Sequence, residues 1–127
     1  MDREKLLKKI DTFDDELINV RRHIHAHPEL SGLENQTAIL ISGYLKNIGW
    51  RVTESVGRTG VVADFGPIDK GFIGLRVDMD ALPIYENTNL SFSSKIDGVM
   101  HACGHDIHTC ICLLYTSDAA DDLTSVY

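Results

Sequence analysis

Apolar residues recur at helical intervals through the first stretch of the chain, at Leu6, Leu7, Ile10, Phe13, Leu17, Ile18, Val20 and Ile24. Steps of three and four residues gather side chains on one face of a helix, so Asp2 to His27 reads as one amphipathic helix, or as two joined near Asp11-Thr12. The second option rests on Thr12, which with Asp14 and Asp15 has the form of an N-cap followed by acidic first-turn residues. Pro28 disfavours helical geometry at His27 and ends the run. The same period returns from Glu34 to Ile48, carried by Ala38, Ile39, Ile41, Leu45 and Ile48, with Gly49 placed to close the helix.

The period then changes. Trp50 to Val56, Gly60 to Phe65 and Gly71 to Val77 are rich in β-forming residues, and the stretches between them, Gly57-Arg58-Thr59 and Gly66 to Lys70, are turn-like. The first alternates as a half-exposed strand does. The third is almost continuously apolar and predicts a central strand covered on both faces. Asp78 and Asp80 follow it, where ligand sites of open α/β sheets usually lie, and residues two apart on an extended chain point the same way. The residues alone leave two readings, a carboxylate pair facing one site or ordinary turn carboxylates before Pro83. Tyr85 to Val99 is a polar connector, with Tyr85 and Glu86 as candidates for the cleft.

The densest chemistry lies in Met100-His101-Ala102-Cys103-Gly104-His105-Asp106-Ile107-His108-Thr109. A thiolate and a neutral imidazole separated by one glycine form a chelating pair suited to zinc or another borderline metal. A tetrahedral site takes about four ligands, so His101, Asp106, His108 or residues elsewhere must complete it. Two other readings remain open: a partly buried turn with an idle thiol, or a nucleophilic Cys103, for which a base oriented by a third group is needed. His23, His25 and His27 make a poor three-ligand set, because His23 and His27 share a helical face and His25 lies on another.

Composition narrows the function classes. The 127 residues suffice for one modest core, and 43% hydrophobic content fits a soluble globular chain. A net charge of -7 without a Lys/Arg cluster excludes a nucleic-acid surface, leaving a small molecule as the natural partner. Cys103, Cys110 and Cys112 crowd together rather than framing a disulfide scaffold, and neither a signal peptide nor a membrane-length apolar run is present. A reduced, cytoplasmic setting follows.

Three ordered motifs carry a resemblance. Met100 to Thr109 resembles the metal-binding signature of the hippurate hydrolase, aminoacylase and indole-acetyl-amino-acid hydrolase family, a branch of the dinuclear zinc metallopeptidases acting on N-acyl amino acids. Arg21-Arg22-His23-Ile24-His25-Ala26-His27-Pro28-Glu29-Leu30 resembles its Arg-His-x-His-x-x-Pro-Glu-Leu element, and Leu75 to Pro83 its strand-end Arg-x-Asp-x-Asp-Ala-Leu-Pro. The likeness runs from Leu17 to Ile111. It implies an α/β fold, the N-terminal part of a metallopeptidase-like catalytic domain, in which two helices precede strands of a mixed central sheet with helices on both faces. It implies two divalent ions per complete site (zinc, or manganese, cobalt or nickel), with Cys103 and His105 as ligands. Asp80 takes the place of the carboxylate that orients a metal ligand and raises its basicity, and Asp78 the place of a ligand His in more distant relatives. The N-terminal motif would be a structural or substrate-side element.

The general-base glutamate, the remaining ligands and the smaller domain that often mediates dimerisation lie downstream in such families. The resemblance therefore makes 1–111 an N-terminal fragment, inactive alone, of a homodimeric or larger parent that takes N-acyl amino acids. The competing class is a standalone metal-binding module using Cys103, His105 and either His101 or His108. Residues 112–127 fit neither. Cys112 to Asp121 back-translates, with permissible codons, to TGT CTC TTA TAC ACA TCT GAC GCT GCC GAC, resembling a transposon-end adapter of short-read libraries, so this tail is expected to be non-native.

Overall fold

The computed structural model describes residues 3–67, 69 and 71–124, with side chains assigned from 15 to 117 outside the gaps. Helix α1 spans Arg3–Ala26, α2 Asn35–Asn47 and α3 His105–Thr124, and a hairpin of β1 (Arg51–Val56) and β2 (Gly60–Asp64) lies between α2 and α3. The first helix is one continuous element, without the optional break near Thr12. Leu17 and Ile24 fall two turns apart on its buried face, and just before Pro28 the His27 N–H still reaches the His23 carbonyl at 3.1 Å.

The ends of α2 show how its sequence sets its limits. Glu29, seven and eight residues upstream, supplies the N-terminal cap: its carboxylate accepts from the Gln36 N–H at 3.0 Å and the Thr37 N–H at 2.8 Å. This satisfies two of the donors a helix start leaves unpaired. At the other end Gly49 adopts φ +87, its N–H reaches the Lys46 carbonyl at 3.0 Å, and the Trp50 N–H reaches the Leu45 carbonyl at 3.0 Å. That pair of bonds is the Schellman closure, for which a glycine is favoured because the left-handed backbone costs it nothing.

The hairpin pairs Arg51 with Asp64 and Val52 with Ala63, and its register shifts between Thr53 and Val56. Arg51 and Asp64 form an ion pair across the strands. Leu17, Ile41, Leu45 and Leu113 make the buried core, with Val20, Trp50, Val52, Val61 and Met79 packed around it. No helix among the described residues is long and apolar enough to cross a membrane.

The α/β class holds, with a two-stranded antiparallel sheet. The predicted third strand, 71–77, is not formed: no described strand pairs with it, and Phe72, Ile73 and Leu75 are exposed rather than covered. Strand geometry is stabilised by a hydrogen-bonded neighbour, and this segment has none. It borders an apolar groove of about 550 Å³ whose other walls include Leu45, Trp50, Met79 and Leu113.

Beyond Ile111 the helix does not stop. Asp106, Thr109, Cys110, Leu113, Thr116 and Ser117 are all buried, at the i, i+3, i+4, i+7 spacing of one helical face. The hydroxyls of Thr116 and Ser117 turn back to the Leu113 carbonyl at 2.8 Å, which makes their burial cheap. Trp50 Nε1–H donates to the Thr116 carbonyl at 3.3 Å. Leu113→Ala should therefore lower the unfolding free energy by about 2–5 kcal/mol. Urea denaturation followed by circular dichroism measures this, and a loss below about 1 kcal/mol would show that the later turns of α3 do not pack.

Candidate metal centre

The loop that enters α3 is held against the segment carrying Asp78 and Asp80. Leu82 and Met100 exchange two backbone hydrogen bonds of 2.9 Å, a single antiparallel bridge, and the Thr109 hydroxyl reaches the Asp78 carbonyl at 3.4 Å. Gly104, at φ +85, turns the chain into the helix, and its carbonyl accepts from the His108 N–H at 3.0 Å.

His105 Nδ1 lies 2.9 Å from both the carbonyl oxygen and Oδ1 of Asp80. A carbonyl can only accept, so Nδ1 carries a proton, and it is in the neutral ring that Nε2 keeps its lone pair. Cys103 is an exposed free thiol two residues earlier. The donor types fit a borderline divalent ion, and the oriented imidazole is the form that binds one. The number of donors is short. Among the described residues no group of three or more His, Cys, Asp or Glu is arranged to hold a metal ion.

The other candidates have separate places. His108 is exposed, its ring centroid 6.1 Å from that of His105. His101 is buried with neither ring nitrogen hydrogen-bonded; burial holds its pKa below the usual histidine value, against the opposing pull of Asp106, so the ring is neutral. The Asp78 carboxylate pairs with Arg76 at the surface, at 2.9 Å, so Asp78 and Asp80 do not share a partner. Burial raises the Cys110 thiol to about 12, which removes it from thiolate chemistry.

Behind the loop sits a buried ionic cluster. Asp106 is 1% exposed, and its Oδ2 accepts from Arg21 Nε–H and from His25 Nδ1–H, each at 2.8 Å. His25 Nε2 lies 3.2 Å from Glu86 Oε1. Both ring nitrogens thus face carboxylate oxygens, which accept hydrogen bonds. Glu86 also accepts from the Ser94 N–H at 2.6 Å and from the Thr88 hydroxyl, gathering its loop against α1. Phe92 meets the His25 ring edge-on at 5.5 Å, with the Arg21 and Arg22 guanidiniums over its face at 5.0 and 5.2 Å.

These contacts give the N-terminal motif a structural role. Arg21 and His25 grip Asp106, Glu29 caps α2, and the Glu29 carbonyl accepts from the Ala81 N–H at 2.8 Å, beside a parallel bridge between Leu30 and Ala81. The sequence raised Glu86 only as a cleft candidate and passed over Phe92. No local pattern marks either one, since their partners lie some 60 residues away.

Burial alone would raise the Asp106 pKa, but the hydrogen bond from His25 and the Arg21 guanidinium outweigh it and hold the carboxyl below its ordinary 3.8. A depressed folded pKa contributes stability that is complete above the unfolded value and is lost as pH falls through the folded one. Stability should thus decline below about pH 4, and Asp106→Asn should flatten that decline. At neutral pH the same substitution should cost about 3–5 kcal/mol, because it leaves Arg21 and His25 without their shared anion. Urea titrations of both proteins between pH 3 and 7 measure the two effects together. Parallel acid limbs would remove Asp106 as their source.

Comparison with known proteins follows the same architecture. Residues 74–120 match the model of peptidase family M20/M25/M40. The chain is 46% identical over 112 residues to thermostable carboxypeptidase 1 of Saccharolobus solfataricus, an overlap covering 87% of this chain and 28% of that protein. It is 48% identical over 113 residues to the hippurate hydrolase of Campylobacter jejuni, covering 86% and 29%. In structure it is similar to the Bacillus subtilis YXEP protein, described as a dinuclear metal-binding peptidase of the M20 family. The TM-score is 0.78 at 41% identity, over 87% of this chain and 32% of that one. The chain spans about a quarter of the length of the curated relatives it matches. Its three motifs, the loop that joins them and this likeness in sequence and fold all point to similarity with peptidase family M20/M25/M40.

Proposed function

We propose that this chain is the N-terminal part of a cytoplasmic hydrolase that cleaves the amide bond of N-acyl amino acids with two divalent metal ions. The observation that carries this reading is the His105 imidazole, protonated at Nδ1 by its contact with Asp80 and open at Nε2, two residues from the Cys103 thiol. The name of the Campylobacter relative supplies the substrate class and the description of the YXEP protein the metal count.

Cys103 Sγ and His105 Nε2 would hold an ion. When bound, such ions supply Lewis acidity toward the scissile carbonyl and a more acidic water. Asp80 keeps the His105 proton on Nδ1, and Asp106, gripped by Arg21 and His25, fixes the helix start from which His105 projects. The general base, the remaining ligands and the dimerising domain belong to the longer parent. The exposed apolar segment 71–77 supports that division, since a neighbouring strand from the parent would cover it. Residues 112–127 are assigned to a translated adapter on the ten-codon match. Helix α3 continues into this stretch as far as Thr124, with Leu113, Thr116 and Ser117 on one buried face, whatever their origin.

A second reading, a standalone metal-binding module, draws on the 6.1 Å separation of the His105 and His108 rings. The purified 127-residue chain decides between them. The first reading expects no turnover of N-benzoyl or N-acetyl amino acids and weak metal binding. Tight one-to-one zinc binding, lost on Cys103→Ala and on His108→Ala alike, would install the second. In a full-length parent recovered by a long read through the Ile111 codon, Asp80→Ala should weaken metal affinity by about 10–100-fold. Equilibrium dialysis measures it, and unchanged affinity would remove Asp80 from the site.

A further inference from the structure

The outer face of α1 presents a second pair of imidazoles that the catalytic reading leaves unused. His23 and His27 are one helical turn apart, their ring centroids 4.5 Å from each other and their planes tilted by 31°. His23 is exposed and His27 half-buried, while His25, between them in sequence, points inward to Asp106 and Glu86. His27 Nδ1–H donates to the His23 carbonyl at 2.8 Å, and the His27 backbone N–H donates to the same oxygen at 3.1 Å. Those two bonds put a proton on Nδ1 and orient the ring, so that in the neutral imidazole the lone pair sits on Nε2. A backbone carbonyl holding the far nitrogen in this way is how protein metal sites prepare a histidine ligand.

We propose that His23 and His27 form a surface site for a borderline divalent metal ion such as Cu2+, Ni2+ or Zn2+, with water filling the remaining positions. Imidazole nitrogens lie about 2.0–2.1 Å from such an ion, so two that share one are roughly 3 Å apart. Rotation of the exposed His23 ring alone brings a pair at 4.5 Å centroid separation into that range. One further feature favours a cation here: the pair stands on the last turn of α1, the partially negative end of the helix. Nitrogen donors place copper and nickel high in the affinity order.

The test uses the tag-free full chain on an immobilised Ni2+ column eluted with an imidazole gradient. The expected result is retention by the wild-type chain and equally by the Cys103→Ser, His105→Gln double variant, with His23→Gln eluting at several-fold lower imidazole. The His23 imidazole makes no hydrogen bond among the described residues, its backbone carbonyl being the acceptor for His27, and an unchanged helical circular dichroism signal shows that the fold survives its replacement. A second measurement needs no variant. Substoichiometric Cu2+ added to the 15N-labelled chain should broaden the amide signals of residues 22–28 before those of 103–109. Elution of His23→Gln together with wild type, or broadening that begins at 103–109, would overturn the assignment.

Discussion

The carboxylate of Asp106 is the contact on which the rest of the structure turns. It is almost completely buried in the first turn of α3, and its Oδ2 is shared by Arg21 and His25 of α1. A buried charge survives only when its partners replace the water it has lost. Here those partners come from the opposite end of the chain, so the ion pair sets the angle at which α3 begins. His105 stands one residue before Asp106 and Cys103 three before. The placement of these two candidate ligands is thus decided by a contact that touches neither of them.

The cluster also extends outward. Through His25 it reaches Glu86, and through Glu86 the loop around Ser94, so a segment with no regular structure is ordered by charge and by the Phe92 ring rather than by a backbone ladder. The Glu29 cap and the bridges at Ala81 and Leu82 complete the frame. The three motifs that looked like separate signatures along the sequence are parts of one hydrogen-bonded unit.

What the sequence made legible follows from how local the cause was. Both early helices were readable because their period, Pro28 and Gly49 all lie within or beside them, and the hairpin because Gly57 to Thr59 marks its turn. The role of Asp106 was not, since nothing nearby betrays partners 81 and 85 residues away. The apolar run at 71–77 has strand propensity, but that propensity becomes a strand only beside another. The continuation of α3 past Ile111 was obscured because Thr116 and Ser117 look like surface residues until their hydroxyls are seen returning to the Leu113 carbonyl. The Cys103 and His105 pair was visible as chemistry, whereas the proton on His105 Nδ1 required Asp80 in place.

The long span between Arg21 and Asp106 also shapes the order in which the molecule assembles. The hairpin pair Arg51 and Asp64 closes a loop of 13 residues, whereas Arg21 and Asp106 close one of 85. Loop-closure entropy grows as (3/2)RT ln n, which makes the longer closure costlier by about 1.7 kcal/mol before any contact is gained. Helices and hairpin can form from neighbours in sequence, while the ionic cluster must wait for the two ends of the chain to meet. The loop bearing Cys103 and His105 is therefore organised late in folding, when the scaffold that receives it already exists.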